Sequence, residues 1–251
     1  MSFYKPLLLI LLLPFFSGSP LLGADAVFQS GKDQNALVEL FTSEGCSSCP
    51  PADEWLGNLS QSPDLWKKIV PVAFHVDIWD KQGWKDNLAS GRFTERLEGY
   101  ARRWRSGSIY TPTIAVNGTE WGGWSRGQEI PLRAKPVGIL KAERSDAQEF
   151  NIFFTPVAGV SIGKLTGHAA LVGFDIVSRV KDGENKGKTL THQFAVLSYQ
   201  EEFMRKSRET YRASVHLRSP EISAKRTAVV FWVTDKDDVI PLQAVGGYYK
   251  P

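Results

Sequence analysis

Glu39-Leu-Phe-Thr-Ser-Glu-Gly-Cys-Ser-Ser-Cys-Pro-Pro-Ala-Asp53 contains both cysteines of the chain, Cys46 and Cys49, two residues apart. Ala36-Leu37-Val38 with Leu40 and Phe41 lead into it and read as a buried strand. Pro50-Pro51 and the acidic residue after them read as the first turn of a helix. Cys-x-x-Cys between a strand and a helix is the arrangement of a thiol–disulfide redox centre. Such a centre needs one sulfur that attacks as thiolate and a second that resolves the mixed disulfide. The helix N-terminus presents free N–H groups and positive potential to the first sulfur, which makes Cys46 the nucleophile and Cys49 the resolving residue. Glu44 and the delayed helix start at Pro50-Pro51 both raise the thiol pKa, so a moderate potential is expected.

Two other readings use the same sulfurs. A copper site would take both and one histidine. A structural disulfide would close too small a loop to stabilise much. Of the four histidines, His75 lies on an apolar strand and reads as a hydrogen-bonded core residue, while His168, His192 and His216 fall in the second half of the chain. No metal and no organic cofactor are expected.

The N-terminus carries Lys5, an apolar run from Leu7 to Phe16 and the small-residue pattern Ala24-Asp25-Ala26. This reads as a signal peptide over 1–26, too short and proline-interrupted for a spanning helix. The expected location is periplasmic or secreted, with no stable membrane insertion after cleavage. The net charge of +3 is mixed in sign and gives no case for nucleic acid as a partner. Eight tryptophans and fourteen phenylalanines supply an ample core.

Further along, Pro71 to Asp77 reads as a second buried strand, parallel to the first through a right-handed crossover. Ile78 to Ser90 is irregular; its Trp79, Asp80, Trp84 and Asp86 either line a groove beside the cysteines or cap the core under a long connection. Ser90 is placed to cap a helix to about Arg105. Phe93, Leu97, Tyr100 and Trp104 share its inner face, with Arg92, Glu95, Arg96, Arg102 and Arg103 on the others. Tyr110 to Gly118 is a strand that opens on a proline and closes on Asn-Gly. From Val137 onward, short runs rich in β-branched and aromatic residues alternate with turn clusters, the rhythm of an antiparallel sandwich of six or more strands. Glu201 to Tyr211 is charged and reads as a short helix. Glu39 is a candidate proton acceptor for Cys49, or else a surface or salt-bridged carboxylate.

The Cys-Ser-Ser-Cys-Pro junction, the strand to Asp77 and Tyr110-Thr-Pro-Thr-Ile-Ala-Val-Asn-Gly118 together resemble the thioredoxin fold. The resemblance implies a cis Pro112 facing the disulfide, and a Thr111 backbone that pairs with a bound substrate strand. A closer likeness is to a thioredoxin-like family of exported bacterial proteins of unassigned function, carried by Glu39 to Asp53, His75 to Asp86, Tyr110 to Gly118 and Gly183 to His192. It implies an α/β thioredoxin-like domain with a mixed sheet over 27–130, followed by an antiparallel β-sandwich-like domain over 131–251. The expected function is disulfide exchange with protein or peptide thiols through Cys46 and Cys49, with Thr111, Pro112, Trp79 and Trp84 contacting substrate. The alternatives are a copper-binding assembly factor using the same cysteines, or a binding protein with a non-catalytic thioredoxin-like scaffold.

Overall fold

The computed structural model describes residue 1 and residues 26–159 and 162–250. The expected signal peptide therefore lies, apart from its two ends, outside the described residues. After an edge strand β1 (Val27–Gln29) comes β2 (Ala36–Thr42), whose seven residues are all buried. It runs parallel to β3 (Ile69–His75) on one side and antiparallel to β4 (Thr113–Val116) on the other. A strand paired on both edges and covered on both faces buries every residue, so this run shows no alternation, and its two polar members, Glu39 and Thr42, are hydrogen-bonded inside the protein. Between β2 and β3 lies α1 (Pro50–Asn58), with Pro50 at its first turn and Ala52 and Leu56 buried. Between β3 and β4 lies α2 (Gly91–Trp104), which packs Phe93, Leu97 and Tyr100 inward and ends at Arg105 in a left-handed conformation.

The two-residue β5 (Thr119–Glu120) closes a hairpin on β4 through Asn117-Gly118. The remaining strands are β6 (Gly138–Asp146), β7 (Glu149–Pro156), β8 (Leu165–Phe174), β9 (Ile176–Arg179), β10 (Thr189–His192), β11 (Ala195–Ser207), β12 (Thr210–His216), β13 (Arg226–Asp235) and β14 (Pro241–Tyr248). All but β9 and β10 join one twelve-stranded sheet with the main order β1-β6-β7-β12-β11-β3-β2-β4-β5; β8, β13 and β14 branch from β11. β9 and β10 form a separate two-stranded ribbon.

β8 and β13 form a middle layer. Ala170, Val172 and Phe174 with Ala228, Val230 and Trp232 pack into the same core as β2, β3 and the two helices. Their neighbours Ala169 and Leu171 with Val229, Phe231 and Val233 face the opposite way, into a second core with Leu140, Ile152, Phe154 and Val215. Alternate residues of a strand point to opposite faces, and here both faces are covered.

The structure corrects the expected fold. The described residues do not form an α/β thioredoxin-like domain followed by a sandwich; they form one large mixed sheet with two short helices. After β4 the chain makes only a two-residue strand and a short 3-10 turn at Gly123–Arg126, with Pro131 and Pro136 following. No helix is available there to form a covering layer, and strands from the second half cover the sheet instead. Nor does the sheet break at residues 130 and 131, since β1 pairs with β6 and Ala73 of β3 pairs with Ala195 of β11. Glu201 to Tyr211 is not a helix but the end of β11, a turn at Arg208 and the start of β12. No helix among the described residues is long and apolar enough to cross a membrane.

Candidate functional site

At the end of β2 the chain turns through Ser43, Glu44 and Gly45 and enters the Cys46–Cys49 disulfide, whose Cα atoms are 5.4 Å apart. Cys49 is the N-cap of α1, and its carbonyl accepts the N–H groups of Ala52 and Asp53. Ser47 and Ser48 between the cysteines are exposed, while both cysteines are fully buried. Ser48 Oγ lies 3.4 Å and the Thr111 carbonyl oxygen 3.7 Å from Cys46 Sγ. The Thr111–Pro112 peptide bond is cis.

The disulfide is covered by residues distant in sequence. Asn185, fully buried on the turn between β9 and β10, donates through Nδ2 to the carbonyls of Glu44 and Cys46, each at 2.9 Å. Glu184 beside it accepts the Ser47 N–H at 3.0 Å. From the other side Trp79 packs against Gly45, where a Cβ would sit 2.7 Å from the Trp79 side chain. The turn therefore holds the disulfide loop by its backbone, at the points that would have to move for a sulfur to become accessible.

Behind the loop lies a buried polar cluster. His75 Nδ1 donates to Asp86 Oδ2 at 2.7 Å, and Asp86 also accepts the backbone N–H of Glu44. His192 Nε2 donates to Glu44 Oε1 at 3.1 Å, and Trp84 Nε1 donates to Glu44 Oε2 at 2.7 Å. The two imidazole rings meet edge to face with centroids 4.7 Å apart. Asp53, on the first turns of α1, accepts from Thr42 Oγ1 at 2.9 Å. Burial opposes ionisation of Asp86, but the His75 charge and hydrogen bond outweigh it and hold its carboxyl near 2. Burial likewise opposes charging of His75, yet Asp86 overrides it and lifts the imidazole to about 9. For Asp53, burial dominates and raises the carboxyl above its ordinary value. Glu44 is buried too, but the His192 hydrogen bond keeps it below the usual glutamate value.

The residues expected from sequence fall out unevenly. Cys46, Cys49, Thr111 and Pro112 come together at one point. Trp79 and Trp84 are half-buried, and both indole N–H groups are engaged within the protein, on Thr111 Oγ1 and on Glu44. They build the wall around the disulfide loop. Glu39 is fully buried and its carboxylate is bound by Arg96 Nε at 2.6 Å and by the Tyr100 hydroxyl. Those partners make it an anchor for α2, the salt-bridged alternative rather than a proton acceptor for Cys49. His75 is indeed a hydrogen-bonded core residue, but its neighbour is His192 from the far end of the chain. Asn185, His192 and Asp53 were not singled out by sequence. Their pointer is the family likeness, since Asp53 closes the stretch from Glu39 and Asn185 and His192 lie in the stretch from Gly183, both of which carry it.

Known proteins can be compared against this geometry. A crystal structure of a protein from Agrobacterium tumefaciens is 25% identical, with a TM-score of 0.56 over 87% of this chain and 95% of that one. HBP35 of Porphyromonas gingivalis is 14% identical, with a TM-score of 0.57 over 87% of this chain and 76% of that one, a likeness of fold alone. No curated protein matches the sequence. The profile of the family described as protein of unknown function DUF1223 matches residues 37–234, from β2 through β13 and including the disulfide and its cover. The chain is a member of the DUF1223 family.

Proposed function

We propose that the protein is an exported thiol–disulfide oxidoreductase that exchanges disulfides with protein or peptide thiols. The observation that carries this reading is the Cys46–Cys49 disulfide at the N-terminus of α1, closed across four residues and flanked by the Thr111 carbonyl. A loop that short yields at most about 2 kcal/mol of chain-entropy stabilisation, so stability is a weak reason for joining these two sulfurs. Reduced Cys46, as thiolate, attacks one sulfur of a substrate disulfide; the S–S bond breaks and the leaving thiolate takes a proton. Cys49 thiolate then attacks Cys46 in the mixed disulfide, releasing the second substrate thiol and restoring the Cys46–Cys49 bond. The net change reduces one substrate disulfide and oxidises the protein dithiol; running backward, the same steps oxidise a substrate dithiol.

Because both sulfurs are buried, exchange requires the turn around Asn185 to lift from the disulfide loop. Glu44, ionised and two residues before Cys46, disfavours a thiolate there, which supports a moderate rather than extreme potential. The test is a trap. Cys49→Ala, expressed in the native compartment, leaves Cys46 unable to resolve, and mixed disulfides at Cys46 are expected by mass spectrometry. Cys46 that stays free and fully alkylatable, with nothing attached, would overturn the reading.

A further inference from the structure

His75 Nε2 and His192 Nδ1 are buried ring nitrogens with no hydrogen-bond partner among the described residues. A buried polar atom without a partner carries a free-energy cost of about 1–3 kcal/mol, so two on adjacent rings need a reason. Their tautomers are set by their neighbours. The opposite nitrogen of each ring donates its hydrogen to a carboxylate, His75 Nδ1 to Asp86 and His192 Nε2 to Glu44. His75 holds its second proton up to about pH 9; an ion that displaces it meets neutral rings whose lone pairs sit on the two unpartnered nitrogens. One donor atom each from Asp53, His75 and His192 lie within 4.8 Å of one another. Thr42 occupies only one Asp53 oxygen, leaving Oδ1 for another partner.

We propose that Asp53, His75 and His192 form a binding site for a divalent first-row transition ion of the Zn2+ or Fe2+ kind. Two imidazoles and one carboxylate are a donor set suited to such ions. Carboxylates on the far nitrogens are the outer partners that orient histidine ligands and raise their basicity. Charge also favours an ion: Asp53, Glu44 and Asp86 surround the two imidazoles, and among the described residues no Lys or Arg is bound to any of the three. Bonds of about 2.0–2.2 Å place neighbouring donors roughly 3.3–3.6 Å apart, so a pair at the 4.8 Å limit needs to close by about 1.2–1.5 Å.

The donor set borders a cleft. Asp53 and His192 also line a cleft of about 430 Å³ between α1 and β10, walled further by Pro50, Gly57, Thr191 and Gln193. Three protein ligands with one face toward a cleft is the pattern of a metal that keeps a position for water or substrate, not of a closed structural site. The chemical class that fits is a small anionic or carbonyl ligand reaching the ion from the cleft. The inference does not depend on the reactivity of the disulfide, whose sulfurs are not part of the donor set.

The test uses the full chain with its disulfide intact, stripped with a chelator and titrated with Zn2+ by calorimetry and with Co2+ by visible absorption. One equivalent of each is expected. His192→Gln should weaken Zn2+ binding at least about 100-fold, and Asp53→Asn and the outer variant Asp86→Asn about 10-fold or more. Cys46→Ser with Cys49→Ser should leave affinity unchanged. Circular dichroism checks folding, and the cleft-facing Asp53→Asn decides the matter if His192→Gln fails to fold. Absence of stoichiometric Zn2+ binding to the folded wild type would overturn the proposal. So would binding that survives Asp53→Asn unchanged, or that disappears in the double serine variant.

Discussion

Asn185 spends its side-chain amide on the backbone of the disulfide loop, holding Glu44 and Cys46 at once. Removing it takes the donor from the Glu44 carbonyl, leaves the Cys46 carbonyl with only the Cys49 N–H, and loosens the cover. A loss of about 1–2 kcal/mol from the closed state raises the open fraction roughly 5- to 30-fold. Asn185→Ala should therefore speed reduction of the disulfide by dithiothreitol by about that factor, read as the rate at which both cysteines become alkylatable. An unchanged rate would mean that the turn does not control access. At this scale the sequence was half legible. Two cysteines at a strand-to-helix junction are visible in any window, and so is the proline at 112. The residues that cover and surround them are not, because Asn185 and His192 arrive from more than a hundred residues away and carry no local signal of their destination.

At the scale of elements, α2 is fixed to β2 by a buried ion pair. The helical pattern placed Phe93, Leu97 and Tyr100 inward and grouped Arg96 with the exposed basic residues. In the structure Arg96 is buried, pairs with Glu39, and lies over the Phe74, Tyr100 and Trp232 rings. Periodicity could not show this, because what covers that side of the helix is Trp232 of β13, a strand from the end of the chain. Arg96→Met leaves Glu39 buried with only the Tyr100 hydroxyl, and should cost about 3–5 kcal/mol. Glu39→Gln combined with Arg96→Met removes the stranded charge and should recover most of that loss. Urea unfolding of the two variants measures the difference; equal losses in both would place the cost in packing rather than charge. The charged run Glu201 to Tyr211 misled for a related reason. Between Glu201 and Ser207 only Met204 is buried, so the run carries no alternation of its own; pairing with β8 and β12 makes it a hairpin, and regular alternation begins at Tyr211 in β12.

For the molecule as a whole, strand-rich segments were legible from Val137 onward, whereas their partners were not. Sheet membership depends on which distant edges meet, and β11 joins β3, β8 and β12 in turn. The middle layer holds His168 on β8, which donates from Nδ1 to the Tyr199 hydroxyl, itself donating to Glu201, and accepts from Thr234 at Nε2. Burial pushes this imidazole down to about 4, with Arg96 and Arg92 adding to the effect against the pull of Glu201. Its folded pKa lies below the ordinary value, so between pH 6.5 and 4 the unfolded chain binds a proton that the folded chain refuses. The stability this gives is complete above pH 6.5 and is lost as pH falls through that window, amounting to about 2–3 kcal/mol between pH 7 and pH 4.5. His168→Gln should lose correspondingly less over the same interval, as measured by urea unfolding at both pH values. Equal losses in both proteins would remove His168 as the cause.

Exchange at Cys46–Cys49 is tested most directly by equilibrating the folded, full-length protein in glutathione buffers of graded potential and counting alkylated cysteines by mass. For an exchange centre, the pair should reduce and reoxidise reversibly without unfolding, with a midpoint between about −270 and −120 mV. A disulfide that remains oxidised in every such buffer, and opens only once urea has unfolded the chain, would contradict the account.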